Sequence, residues 1–247
     1  MKSKHFAKKF GQACGDFDIV NNDGVDRFLV PIDWDYPLQT LLHWMHYKTT
    51  KIPKHFKIVA VHFHSSEEAD SSLLKYFSEY CEKRSIEFHS KKVANPADRS
   101  EYLSLLVKTA NEYNCNKVAV PDSIDFLNAQ LITNMSLSGF FSCASINQKM
   151  RVSDGSPEVI VTRPFCYASD DDIQKYAIGS KFENNPSGIF LKEEIFMDVA
   201  RKGIEMLISN YSNVRMNLFH SQYSIQQKYI GIGEDHELQE DANLLIP

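Results

Sequence analysis

The chain has 247 residues, 43% hydrophobic and 24% charged, enough apolar material for one full α/β domain with a C-terminal extension. Its net charge of −5 gives no global attraction to nucleic acid, and nowhere do about eighteen apolar residues run together, so no membrane span is expected. The basic N-terminus MKSKHFAKKF precedes no apolar signal region, and the five cysteines Cys14, Cys81, Cys115, Cys143 and Cys166 form no CxxC pair. A cytoplasmic protein is therefore expected, with neither a disulfide framework nor a cysteine-ligated metal.

In chain order, a short helix over 6–17 is expected to cap the sheet. Apolar strand-like runs follow at 28–32, 58–63, 87–93, 117–120 and 158–165, separated by helical patterns at 37–47, 67–84, 98–113 and 123–138. The second of these helices shows the pattern well, with Leu73, Leu74, Phe77, Tyr80 and Cys81 on one stripe. Such spacing implies βαβ crossovers, and hence a Rossmann-like, five-stranded parallel sheet with helices on both faces.

Beyond 165 the pattern changes. Ser169 followed by Asp170, Asp171 and Asp172 reads as a helix start, because acids in a first turn complement the helix dipole. FENNPSG at 182–188 reads as a loop, 191–208 as a last amphipathic helix, and 210–247 as a polar arm or partly disordered tail. Tyr211, Leu218, Phe219, Tyr223, Ile225 and Tyr229 are apolar enough to dock that tail on the chain's own core or on a partner. The expected organisation is an arm over 1–24, an α/β domain over 25–180, and a C-terminal helix and tail over 181–247.

The segment DRFLVPIDWDYPLQTLL at 26–42 has the outline of a nucleotide-binding strand, loop and helix without the loop chemistry. A phosphate loop needs small residues so that several N–H groups can face the anion at a helix N-terminus. Here Trp34 and Tyr36 add bulk, Pro37 removes a donor, and Asp33 and Asp35 bring negative charge. At about 4 Å and an effective dielectric of about 20, one like-charge contact costs roughly 4 kcal/mol. A bound Mg²⁺ would offset part of this cost.

Ligand crevices in such sheets lie outside the carboxyl ends of the strands. That rule gathers Asp33, Asp35, His62, His64, Asp122 and Asp125 on one rim, with Val30, Ile32 and Val120 at the strand ends. Asp33, Asp35, His64 and Asp122 are candidate ligands for a hard metal, as in a metal-dependent hydrolase. The plainer alternative is that Asp122 or Ser123 caps the next helix, the two loop aspartates are solvated, and the histidines make polar contacts on a strand face.

Taken together, the segments resemble the N-type PP-loop ATPases, and in particular the bacterial tRNA 2-thiocytidine synthetases, from about residue 8 to residue 177. DRFLVPIDWDYPLQTLL stands where the family has a strand, an SGGxDS loop and a helix; KVAVPDSIDFLNAQLITNM stands at its strand ending in GHxxDD. VIVTRPFCYASDDDIQKYA keeps the family's Arg163, Pro164, Tyr167, Asp172, Ile173, Tyr176 and Ala177. The resemblance implies an adenine nucleotide alpha hydrolase-like fold, and for an active member ATP, magnesium and an iron–sulfur cluster.

The departures fall on the catalytic positions. Asp33, Trp34, Asp35, Tyr36, Pro37 and Leu38 keep none of the pyrophosphate-loop residues, while Pro121 and Asp122 replace glycine and histidine, Asp125 is kept, and Phe126 replaces the second aspartate. If ATP still bound, Val30, Ile32, Asp33, His62, His64 and Val120 would surround it. The cluster cysteines are missing near Asn95 and Asp98 and from 182–188. No cofactor is therefore expected, and the resemblance implies a pseudoenzyme that binds tRNA or a protein partner. An active ATP-dependent synthetase with an altered loop is the alternative. Lys8, Lys9, Arg163 and Lys175 are the residues expected to touch RNA phosphate. Related enzymes often dimerise, although no apolar stripe in this sequence compels it.

Overall fold

The computed structural model describes residues 2–21, 25–52, 56–65, 71–137, 144–186, 188–189 and 195–222. The five expected strands are all present: β1 (Arg27–Pro31), β2 (Lys57–His64), β3 (Glu87–Lys92), β4 (Lys117–Ala119) and, last, β6 (Val159–Thr162). A sixth, β5 (Asn147–Met150), corrects the expected count, and the sheet order is β3-β2-β1-β4-β6-β5. The five core strands run parallel, while β5 pairs antiparallel with β6 at the edge, Gln148 opposite Val161. β5 escaped the sequence reading because NQKM offers no apolar face; an edge strand half in solvent needs none.

Strand β1 lies at the centre, with Leu29 in register with Val59 on one side and Val118 on the other. Phe28 and Val30 point into one core, with Leu41, Met45 and Phe77, whereas Leu29, Val59 and Val61 enter a second core with Leu103 and Leu106. Side chains of a strand alternate between faces, so burial of both sets sandwiches the sheet. Each fully buried aliphatic or aromatic side chain contributes about 1.5–3 kcal/mol, which makes the central strands the stable platform for whatever lies at their ends.

The crossover helices are α2 (Tyr36–Thr49), α3 (Ser71–Glu82), α4 (Arg99–Glu112) and α5 (Ile124–Leu137). α4 starts where Asp98 accepts the Glu101 N–H at 2.8 Å, and α5 where Ser123 Oγ accepts the Phe126 N–H at 3.1 Å. The leading helix α1 (Lys2–Asp16) begins earlier than expected and buries Phe6, Phe10 and Ala13 on one stripe, Phe6 meeting the Phe165 ring edge-on at 5.2 Å.

The acidic helix start is α6 (Asp170–Gly179), closed by a reciprocal capping box in which Ser169 Oγ accepts from Asp172 N at 3.1 Å and Asp172 Oδ2 accepts from Ser169 N at 3.0 Å. Lys9 donates to the same Asp172 carboxylate at 2.6 Å, tying α1 to α6. At the C-terminal end, α7 (Ile195–Asn210) places Met197, Ala200 and Ile204 against Ala129 of α5. The polar arm expected from residue 210 is corrected in its first part, where α8 (Val214–Ser221) forms and Phe219 sinks to 1% exposure in the main core. Tyr223, Ile225 and Tyr229 lie outside the described residues.

Candidate functional site

The order of connection reverses between β1 and β4, and a crevice opens beyond their carboxyl ends, as the topology of such sheets requires. It is a cleft of about 340 Å³ lined by Asp33, Asp35, Arg99 and Tyr102, with Ile32, Leu38, Phe63, Pro121, Pro186 and Ile189 among its apolar walls. The β1–α2 loop and the start of α4 form two sides. The segment around Pro186 and Ile189 forms a third.

At the loop, the backbone donors that would cradle a phosphate are already taken. Asp35 is the N-cap of α2, and its Oδ1 accepts the Leu38 N–H at 2.7 Å. Asp33 Oδ1 accepts the Trp34 N–H at 2.7 Å, and Oδ2 accepts the Gly188 N–H at 2.8 Å. Asp35 thus occupies the electropositive end of the helix, with Asp33 in the loop just before it, where a bound anion would otherwise be favoured. Burial raises the Asp35 carboxyl to about 7, the Leu38 N–H opposing this and neighbouring Asp33 adding to it.

Asp33 corrects one expectation directly: it is not a solvated turn residue but 6% exposed beneath the 182–189 segment. That segment is strapped across the loop at several points. Asn185 N–H donates to the Trp34 carbonyl at 2.7 Å, and the Gln39 side chain donates to the Glu183 carbonyl. At Gly188 an added Cβ would stand 2.7 Å from the Phe63 carbonyl oxygen and 2.8 Å from Asp33 Oδ2, so the approach demands glycine.

Asp122 is drawn away from the role of metal ligand. Its carboxylate accepts from Arg163 Nε at 2.9 Å and from the Arg99 guanidinium, so each oxygen faces a cation. Asp125 likewise accepts from Arg215 Nε at 2.6 Å and from the Asp170 N–H at 3.0 Å, linking α5 to α8 and α6. His62 lies fully buried with Nδ1 3.1 Å from the Ile32 carbonyl, its ring stacked 6.0 Å from that of His64. Among the described residues no three His, Cys, Asp or Glu side chains are grouped to hold a metal ion.

The four residues expected on RNA have different fates. Arg163 is 1% exposed, its guanidinium shared between Asp122, the Ser145 carbonyl and Gln148, so the expectation that it meets phosphate is corrected: it is an interior crosslink. Lys9 pairs with Asp172, and Lys175 with Asp171 one turn earlier on the exposed face of α6. Lys8 is exposed on α1. The sequence reading missed Arg99 and Tyr102, since an Arg and a Tyr on an amphipathic helix carry no signal until the fold brings α4 beside the loop.

A parallel sheet whose connections reverse beside a strand–loop–helix defines the doubly wound class of α/β folds, with its ligand crevice at the switch point. No family model matches the sequence. A tRNA-cytidine(32) 2-sulfurtransferase from Anaeromyxobacter sp. (strain K) is 23% identical over 261 residues, spanning 94% of this chain and 82% of that protein. A tRNA-cytidine(32) 2-sulfurtransferase from Mannheimia succiniciproducens is 27% identical over 199 residues, 75% of this chain and 62% of that protein. In structure, the U34-tRNA thiolase NcsA from Methanococcus maripaludis with its 4Fe-4S cluster superposes with a TM-score of 0.67 at 12% identity, over 91% of this chain and 80% of that one. The chain is thus similar in sequence to tRNA-cytidine(32) 2-sulfurtransferases and in fold to a tRNA thiolase, in line with its resemblance to the PP-loop ATPases.

One expectation is overturned here. The cysteines missing near Asn95 and Asp98 and from 182–188 lead to the expectation of no cofactor, but a protein of similar fold holds a 4Fe-4S cluster. Among the described residues, Cys14, Cys81, Cys115 and Cys166 are each buried, and none lines the cleft. Burial raises the thiols of Cys14 to about 11, Cys81 to about 12 and Cys115 to about 11, the opposite of what a thiolate ligand needs. These four cysteines do not fit a cluster site. No helix among the described residues is long and apolar enough to cross a membrane.

Proposed function

We propose that this PP-loop family member acts on tRNA as a binding protein whose β1–α2 loop has given up the grip on nucleotide phosphates. The observation that carries the reading is the capture of the Trp34, Leu38 and Gly188 N–H groups by Asp33 and Asp35. A triphosphate entering there would meet carboxylates in place of free donors, and displacing them would break the α2 cap. The family relationship supports tRNA as the partner, since the relatives with long alignments are named as tRNA sulfurtransferases. On this reading residues 25–180 supply the α/β platform, while the arm and extension at either end brace it.

The same relatives favour a second reading, an active ATP-dependent tRNA sulfurtransferase that holds the nucleotide by other groups at this cleft. Calorimetric titration with MgATP separates the two. Absence of heat at millimolar nucleotide, with tRNA retarded in a gel-shift assay, is the expected result. Micromolar MgATP binding overturns the first reading and leaves the second.

A further inference from the structure

Resting on the reading that Asp33 and Asp35 have replaced a phosphate site, we propose that the cleft between the β1–α2 loop and α4 binds a small, non-phosphorylated organic cation with a planar amidinium or guanidinium head. The first observation is the state of Asp35. Its Oδ1 accepts the Leu38 N–H, while Oδ2 accepts no hydrogen bond among the described residues. Arg99, the cation of the lining, is turned to Asp122, which Arg163 also holds. The acids of the lining are therefore Asp33 and Asp35, and a cation bound beside them favours the ionised form of Asp35.

The second observation is independent of the acids. Tyr102 of α4 lines the same cleft at 8% exposure, and its hydroxyl has no hydrogen-bond partner among the described residues. The side chain is more than nine-tenths buried while its hydroxyl opens on the cleft, where a ligand polar group can reach it. A carboxylate with one open oxygen beside a phenol matches a flat head carrying several N–H donors, with charge-assisted bonds to the acid. The apolar walls, Ile32, Leu38 and Phe63 on one side and Pro121, Pro186 and Ile189 on the other, suit a flat hydrocarbon body, and the volume of about 340 Å³ is that of a small-molecule site.

Other ligand classes fit less well. An anion meets two carboxylates, and a hard metal finds too few oxygen ligands, because Asp122 is already paired. The test is calorimetric titration of the full chain with benzamidine, and with benzamide as its neutral isostere. Saturable benzamidine binding at least ~10-fold tighter than benzamide is expected, weakened ~10-fold by Asp35→Asn and several-fold by Tyr102→Phe. Should Asp35→Asn fail to fold, Tyr102→Phe and the isostere still decide. Equal binding of the two probes, no saturation below ~20 mM, or indifference to Tyr102→Phe overturns the cation site. MgATP that binds and is displaced by benzamidine overturns instead the reading on which the site rests.

Discussion

Gly188 and Asp33, 155 residues apart in sequence, meet through a 2.8 Å hydrogen bond from the Gly188 N–H to Oδ2, so close that no side chain fits between them. The bond closes the 182–189 segment over the loop and fixes one wall of the cleft. Gly188→Ala must push Phe63 and Asp33 aside. The expected cost is about 1–3 kcal/mol in urea denaturation, with loss of benzamidine binding. Unchanged stability and binding in the alanine variant would show that the segment does not close there.

Asp35 makes the fold sensitive to pH in an unusual direction. Its carboxyl titrates at about 7 in the folded chain, against 3.8 for the ordinary group, with burial as the main cause and Asp33 beside it. Between these values the folded state holds the proton and the unfolded state does not. The stability from this group is therefore full below about pH 4 and is lost as pH rises through about 7. Asn keeps the cap on α2 and cannot ionise, so Asp35→Asn gains about 1–2 kcal/mol on wild type between pH 4 and pH 8. Thermal melts across that range check it; parallel pH profiles for the two proteins would sink the assignment.

Arg163 and Asp122 form a buried pair on the strand ends. Removing one partner of such a pair costs about 3–5 kcal/mol, with the lower end expected here because Arg99 stays on Asp122. Arg163→Met is expected to lower the denaturation midpoint while leaving the salt dependence of tRNA binding unchanged. A stable variant with weakened tRNA binding would return Arg163 to the RNA surface.

Lys8 gives the opposite signature. It is exposed on α1, so Lys8→Ala is expected to leave stability within about 0.5 kcal/mol of wild type. If it neutralises a phosphate, the slope of log affinity against log salt falls by roughly 0.7–0.9. Lys9→Ala, which opens the pair with Asp172, instead costs up to about 1 kcal/mol of stability. A slope that does not move with Lys8 removes α1 from the RNA interface.

The sequence alone determined the parallel orientation of the five core strands and the positions of α2, α4, α5 and α6, because apolar runs and caps such as Asp98 and Ser169 are local signals. It also identified the loop without glycine. What it could not determine was the partner of each charged group. Arg163, Tyr167 and Asp172 carry the resemblance to the family, yet they act inside the fold, Arg163 on Asp122, Tyr167 on Asp16 at 3.0 Å, and Asp172 as half of a capping box. The edge strand β5 was equally hidden, since it has no period of its own, while the apolar tail residues left open whether Phe219 would dock on the chain's own core or on a partner. The tertiary structure decided that Asp33 is sealed, that Asp35 is left with an open oxygen, and that Tyr102 of α4 lines the same cleft, because charge, burial and hydrogen-bond partners are set by neighbours that the linear chain does not specify.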